Sequence, residues 1–143
     1  MRARIILFAM LGLALTPALA DVMVKDAWVR GTVPGQGATG AYATLRSSVD
    51  AKIVGVSSPA AKRAEIHRSD MEGGVMRMRP MPVVPLPANR DVALDGERHV
   101  MLLDLAHALS AGESVRLVFT IEDAKGKRSR VEVEAPVRPL GGG

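Results

Sequence analysis

Cysteine is absent from all 143 residues, so no disulfide braces the fold and any core must hold by packing alone. The same absence leaves no thiol for a lipid anchor at the N-terminus. Aromatic residues are nearly as scarce: one Trp, one Tyr and two Phe. The core is therefore expected to be built from Val, Leu, Ile and Ala, with Trp28, Tyr42 and Phe119 as its larger pieces; for Trp28 a rim position, or one near a bound metal, is the alternative. No long apolar run follows the first twenty residues, and there is no internal repeat or low-complexity tract. No convincing amphipathic helix is present; the best candidate, Ala106 to Ala111, is too short to matter.

What stands at the N-terminus reads as an address. Arg2 and Arg4 precede an apolar run from Ile5 to Leu15, and Thr16-Pro17 breaks it before the small-x-small pattern Ala18-Leu19-Ala20. Residues 1–20 are thus expected to be a signal peptide cleaved after Ala20, leaving a periplasmic protein without stable membrane anchoring. One domain is expected over 21–139, with a flexible tail at 140–143. The basic excess falls from 19 against 15 to 17 against 15 when Arg2 and Arg4 are removed. The remaining cations are spread along the chain, which gives nucleic-acid binding no support.

Strand signals recur with turn signals between them. Val22–Arg30, Gly40–Ser47, Lys52–Ser57, Arg63–His67, Gly74–Met78, Val92–Leu94, His99–Leu105, Ser114–Glu122 and Ser129–Glu134 read as strands. Pro80, Pro82, Pro85 and Pro87 mark a stretch that cannot form a central strand, because proline has no N–H for the ladder. Eight or nine short strands without helices argue for an all-β sandwich.

Two of the three histidines and five methionines (71, 76, 78, 81 and 101) fall between positions 67 and 101. On a strand, residues two apart share a face. His99 and Met101 therefore present an imidazole and a thioether side by side, Met76 and Met78 form a second such pair, and His67 supplies another imidazole. Thioether and imidazole donors together suit a soft monovalent cation, copper(I), better than zinc or calcium. A thioether also survives an oxidising compartment in which a thiol would be consumed as a disulfide, though it can be oxidised to the sulfoxide. Met23, Met81 and His107 read as ordinary filler or surface residues. An all-methionine site drawn from Met71, Met76, Met78 and Met101 is the alternative donor set.

The run Glu65-Ile-His67, Met71, Gly74-Val-Met76-Arg-Met78-Arg-Pro80 and then His99-Val-Met101-Leu-Leu103 resembles the PCuAC-type periplasmic copper chaperones. Ala27-Trp-Val-Arg30 and Gly40-Ala-Tyr42 resemble the opening of that family as well. The resemblance implies a cupredoxin-like Greek-key sandwich and one copper(I) per chain, held by His67, Met78, His99 and Met101. It also implies a monomer that delivers copper toward the CuA subunit of cytochrome c oxidase beside Sco-type proteins. Ten residues separate His67 from Met78, as in the family, while the 20 residues between Met78 and His99 are one short of its usual gap. The deletion is most easily absorbed in the loop from Pro82 to Asn89. Arg68 stands where some members have a further methionine, and the chain ends without the His- and Met-rich tail some relatives carry.

Other functions fit less well. A blue-copper electron carrier needs a cysteine thiolate. Oxidative copper enzymes that use a mature N-terminal histidine are disfavoured by Asp21, and no Ser/His/Asp set or carboxylate pair suggests hydrolysis. The competing expectation is a metal-free sandwich that binds other proteins, with its methionines as core.

Overall fold

A computed structural model describes residues 20–140. Apart from Ala20, the expected signal segment lies outside the described residues, as does the tail beyond Leu140. Ten strands run in order: β1 (Val22–Arg30), β2 (Ala38–Ser47), β3 (Ala51–Ser57), β4 (Ala61–Glu72), β5 (Val75–Pro80), β6 (Val84–Leu86), β7 (Asp91–Leu94), β8 (Arg98–Leu105), β9 (Ser114–Asp123) and β10 (Arg128–Arg138). The segment Ala106 to Ala111 is irregular.

The ladder order is β5-β4-β8-β2-β1-β10-β9-β3-β6, with β7 pairing β2 off this path. Neighbours are antiparallel except β1 and β10. One half of the ladder supplies Val29, Ala41, Leu45, Ile66, Val100 and Leu102 to the core; the other supplies Ile53, Leu86, Leu117, Phe119 and Ile121. Each set comes from alternate positions of its strands, which is what burying one face of a pleated strand demands.

β6 was not expected from the sequence. Val84 and Leu86 are buried and Pro85 faces out. Its partner is β3, and it ends the ladder. At that edge a proline costs no inner hydrogen bond. β4 runs five residues beyond the expected His67, and a tight turn then returns the chain along β5. Gly73 and Gly74 both have positive φ, 57° and 80°, the signature of a two-residue I′ turn, for which Gly-Gly is well suited.

Two expected core pieces lie elsewhere. Phe119 is fully buried, but Trp28 and Tyr42 are half-buried and outside the core cluster. The cause in β1 is a bulge. Lys25 pairs with Thr44 and Trp28 with Tyr42, so one extra residue is inserted in β1. Asp26 takes φ 55° there. The insertion reverses the inward–outward alternation. Trp28, which shares the parity of inward-packed Val22 and Val24, is thereby turned to the outer face, and Val29 takes the core position. Met23, expected as filler, is 68% exposed, whereas Met81 does pack against the core.

Leu102 is fully buried on β8, so Leu102→Ala is expected to destabilise the protein by about 2–5 kcal/mol. Met23→Ala, at an exposed site, should stay within about 0.5 kcal/mol. Denaturant midpoints of the two variants check the inside–outside assignment, and a neutral Leu102→Ala would refute it.

Candidate metal centre

The outer face of the β5-β4-β8-β2-β1 half gathers the residues singled out from the sequence. Val100 and Leu102 point into the core, so His99 and Met101 point outward. Ile66 is buried on β4, which turns Glu65, His67 and Ser69 outward. β4 and β8 pair in a register that sets His67 directly opposite His99 and Glu65 opposite Met101. Directly opposed residues have Cβ atoms about 4.5–5.5 Å apart. On the far side of β4, Met78 pairs with Ser69 and Pro80 with His67, so Met78 stands diagonal to His67 on the same face. One patch spanning three strands thus carries His67, Met78, His99 and Met101. His107 lies apart in an exposed turn, its Nδ1 2.8 Å from the carbonyl of Ala108.

The four side chains differ in exposure. His99 is 9% exposed and Met78 45%; His67 and Met101 lie between. Met76 is 67% exposed and Met78 45%, so neither is a core residue, against the expectation of methionines as core.

The His99 ring packs against aromatic neighbours. Tyr42 is tilted over it at a centroid distance of 5.8 Å, and Trp28 stacks on Tyr42 at 4.3 Å. Arg138 lies 4.7 Å over Trp28 and Arg30 5.8 Å over Tyr42, within cation–π range. Gly40, the cross-strand partner of Met101, makes room for this wall: a Cβ there would lie 2.7 Å from the Tyr42 hydroxyl. The pair two residues apart, Gly40 and Tyr42, is visible in the sequence, but its purpose is not.

Glu65 stands two residues before His67, and the sequence alone assigns it no role. Its Oε2 lies 2.8 Å from His67 Nε2. A carboxylate only accepts, so this contact places the proton on Nε2 and leaves the Nδ1 lone pair of His67 free. The spacing of two on a strand was the signal available.

His99 Nδ1 is buried without a hydrogen-bond partner among the described residues. The backbone carbonyls of Gly96 and Asp95 act on the ring in the opposite sense to burial, favouring its protonated form. A buried nitrogen left unpaired costs about 1–3 kcal/mol, and a metal ion is one group that would satisfy it. Among the described residues no three His, Cys, Asp or Glu side chains gather as a metal-holding set, so any ion bound here by more than two or so donors needs the thioethers.

The fold and this face define a cupredoxin-like β-sandwich bearing soft donors on one sheet. The sequence model of the LpqE-like family matches residues 22–137, and the chain belongs to that family, which is the PCuAC-type family. Lxx21020 of Leifsonia xyli subsp. xyli (strain CTCB07), which carries a lipoprotein name, is 30% identical over 125 residues, covering 85% of this chain and 72% of that protein. Among solved structures, the copper-bound PCuAC domain from PmoF2 superposes with a TM-score of 0.65 at 18% identity, over 82% of this chain and 92% of that one. CuI-DR1885 from Deinococcus radiodurans gives 0.51 at 27% identity, over 90% and 83%.

Burial, then the charge of His67, then that of Arg30, hold His99 below the ordinary imidazole value of 6.5. The unfolded chain therefore takes up this proton before the folded one does. The stability that neutral His99 contributes is present above 6.5 and is lost as pH falls through the lower folded value. The metal-free protein is expected to lose denaturant resistance as pH falls below the ordinary imidazole value of 6.5, and His99→Phe should flatten that part of the profile. An unchanged pH profile in the variant would refute the assignment.

Proposed function

We propose that this protein is an exported copper(I) chaperone, a carrier and not an enzyme, holding one ion tightly among His67, Met78, His99 and Met101. The observation that carries the reading is the β4–β8 register, which opposes the two histidines with Met101 beside them and leaves His99 Nδ1 buried and unpaired. The copper(I) form of the Deinococcus radiodurans relative supports the choice of ion and oxidation state. With Glu65 on its Nε2, His67 offers Nδ1, the same nitrogen that is left free on His99.

Two neutral imidazoles and two thioethers leave the bound ion with its single positive charge. Such donors hold copper(I) by softness and release it by ligand exchange, because no thiolate charge pins it. The exposure gradient gives the exchange an order. His99, buried against Tyr42, is the anchor, and Met78, the most exposed donor, is the first to give way to an incoming ligand. The acceptor implied by the family resemblance is the CuA subunit of cytochrome c oxidase, reached alongside Sco-type proteins in the periplasm. A monomer suffices for this role, since all four donors come from one chain. The apolar N-terminal segment and the lipoprotein name of the Leifsonia relative support export. Among the described residues no helix is long and apolar enough to cross a membrane.

Copper(I) titration against a chromophoric competitor tests the site. Met78→Leu and Met101→Leu should lose most of the affinity while costing less than about 1.5 kcal/mol of stability, since leucine keeps volume and apolarity. Met76→Leu should retain the tight equivalent, and a loss equal to that of Met78→Leu would shift the assignment along β5. Zinc binding as tight as copper(I) binding would refute a thioether site.

Proton competition gives a separate check. Affinity should fall as pH drops, because imidazole takes protons and thioether does not. With His99 held below the ordinary imidazole value, its share of the loss sets in below that range. His99→Ala should lower the limiting slope of log affinity against pH by one, and His107→Ala should leave it unchanged. An affinity independent of pH would hand the site to the methionines alone.

A further inference from the structure

The outward face of β4 and β5 does not end at the proposed site. Beyond His67 it continues through the pair Ser69–Met78 to the pair Met71–Met76, next to the turn. In a hairpin closed by a two-residue turn, the residues flanking the turn, here Glu72 and Val75, form the hydrogen-bonded pair. Met71 and Met76 are then a non-hydrogen-bonded pair, the kind whose side chains stand closest. Rigid turn chemistry, with Gly73 and Gly74 both in the left-handed region, pins that register.

These thioethers face solvent. Met71 is 66% exposed, Met76 67% and Met78 45%. They cannot be core filler, and methionine is not among the residues that strands favour. The opposite face of β5 carries Arg77 and Arg79, both tied to Glu72, and Arg68 of β4 is tied to Asp70. An exposed hairpin is expected to be polar on both sides; this one carries its charged residues on one side, with Val75 beside them, and presents three sulfurs on the other. Successive same-face positions on a strand lie about 6.5–7 Å apart, so Met76 to Met78 is a single step toward His67.

We propose that Met71 and Met76 form a second, weaker site for a soft monovalent cation at the hairpin tip, from which copper(I) passes through Met78 to His67, His99 and Met101. The inference rests on the chaperone reading for its destination but not for its donors. Each move forms a bond from an incoming sulfur or nitrogen lone pair and breaks one to the donor left behind. Copper remains monovalent, and no electron or proton is transferred.

Silver(I), a redox-inert probe of the same softness, titrated into the full protein labelled at its methionine methyls, tests this by NMR. The first equivalent should shift Met78 and Met101, and the second should shift Met71 and Met76. Met23, equally exposed at 68% but far from any other thioether in its register, should stay still. The double variant Met71→Leu/Met76→Leu should keep the first equivalent, lose the second, and load copper(I) from a competitor complex more slowly. If Met71 and Met76 do not move, or the double variant still takes two equivalents, the second site is refuted and the chaperone site stands. If Met71 and Met76 move while Met78 and Met101 do not, the His/Met site fails and the relay is overturned with it.

Discussion

Everything at the proposed site depends on the register between β4 and β8. A slip of one residue would turn His67 and its neighbours to the other face. What prevents the slip lies beneath the site. Ile66 and Val100 are paired across the same two strands and buried on the inner side, so moving the histidines apart would expose core residues. Burial worth roughly 25 cal/mol per Å² of apolar surface is thereby converted into the placement of two imidazoles. The outer face needs no stabilisation of its own to stay in position.

Two further features shape the environment of His99. The bulge at Asp26 and Ala27 swings Trp28 out of the core and onto Tyr42. Gly40, lacking a side chain, leaves room for the Tyr42 ring, whose hydroxyl end lies over it on the same strand. The result is a wall on one flank of His99, which accounts for its burial and for its depressed affinity for protons. On the other flank the face opens, through His67 and Met78, toward an exposed hairpin. The site is closed on one side and open on the other because a bulge and a glycine act on β1 and β2, while β5 forms an uncovered edge.

How much of this was legible in the sequence depends on how local each signal is. His99-x-Met101 and Met76-x-Met78 share a face by the period of two that every strand obeys, whereas the extension of β4 to Glu72 and the two-residue turn at Gly73-Gly74 become visible only in the paired hairpin. The strands themselves were readable except β6, where Pro85 argued against a strand although an edge position tolerates it. The sequence leaves Trp28 open between core and rim because a bulge inserts one residue without any mark in the composition; Asp26 at positive φ is visible only in coordinates. A carboxylate two residues before a histidine, as Glu65 is before His67, carries no specific signal in sequence. Only the cross-strand contact gives it a function. That His67 opposes His99 could not be read from the sequence at all, since pairing between segments some thirty residues apart is a property of the assembled sheet.

The distribution of exposure bears on what such a site could be for. A storage site gains from burying every donor, since slow access to the ion keeps it in place. Here burial is graded across the four residues, from His99 at 9% to Met78 at 45%, and beyond Met78 lie two more thioethers with higher exposure still. An incoming donor can therefore reach the ion from the hairpin side without disturbing the core, because only outward-facing side chains have to move. Replacement of a neutral donor by another neutral donor leaves the net charge of the centre unchanged at every stage, so no large electrostatic barrier stands between the bound and transferred states. Graded burial on a rigid sheet, with neutral donors throughout, favours handover over retention.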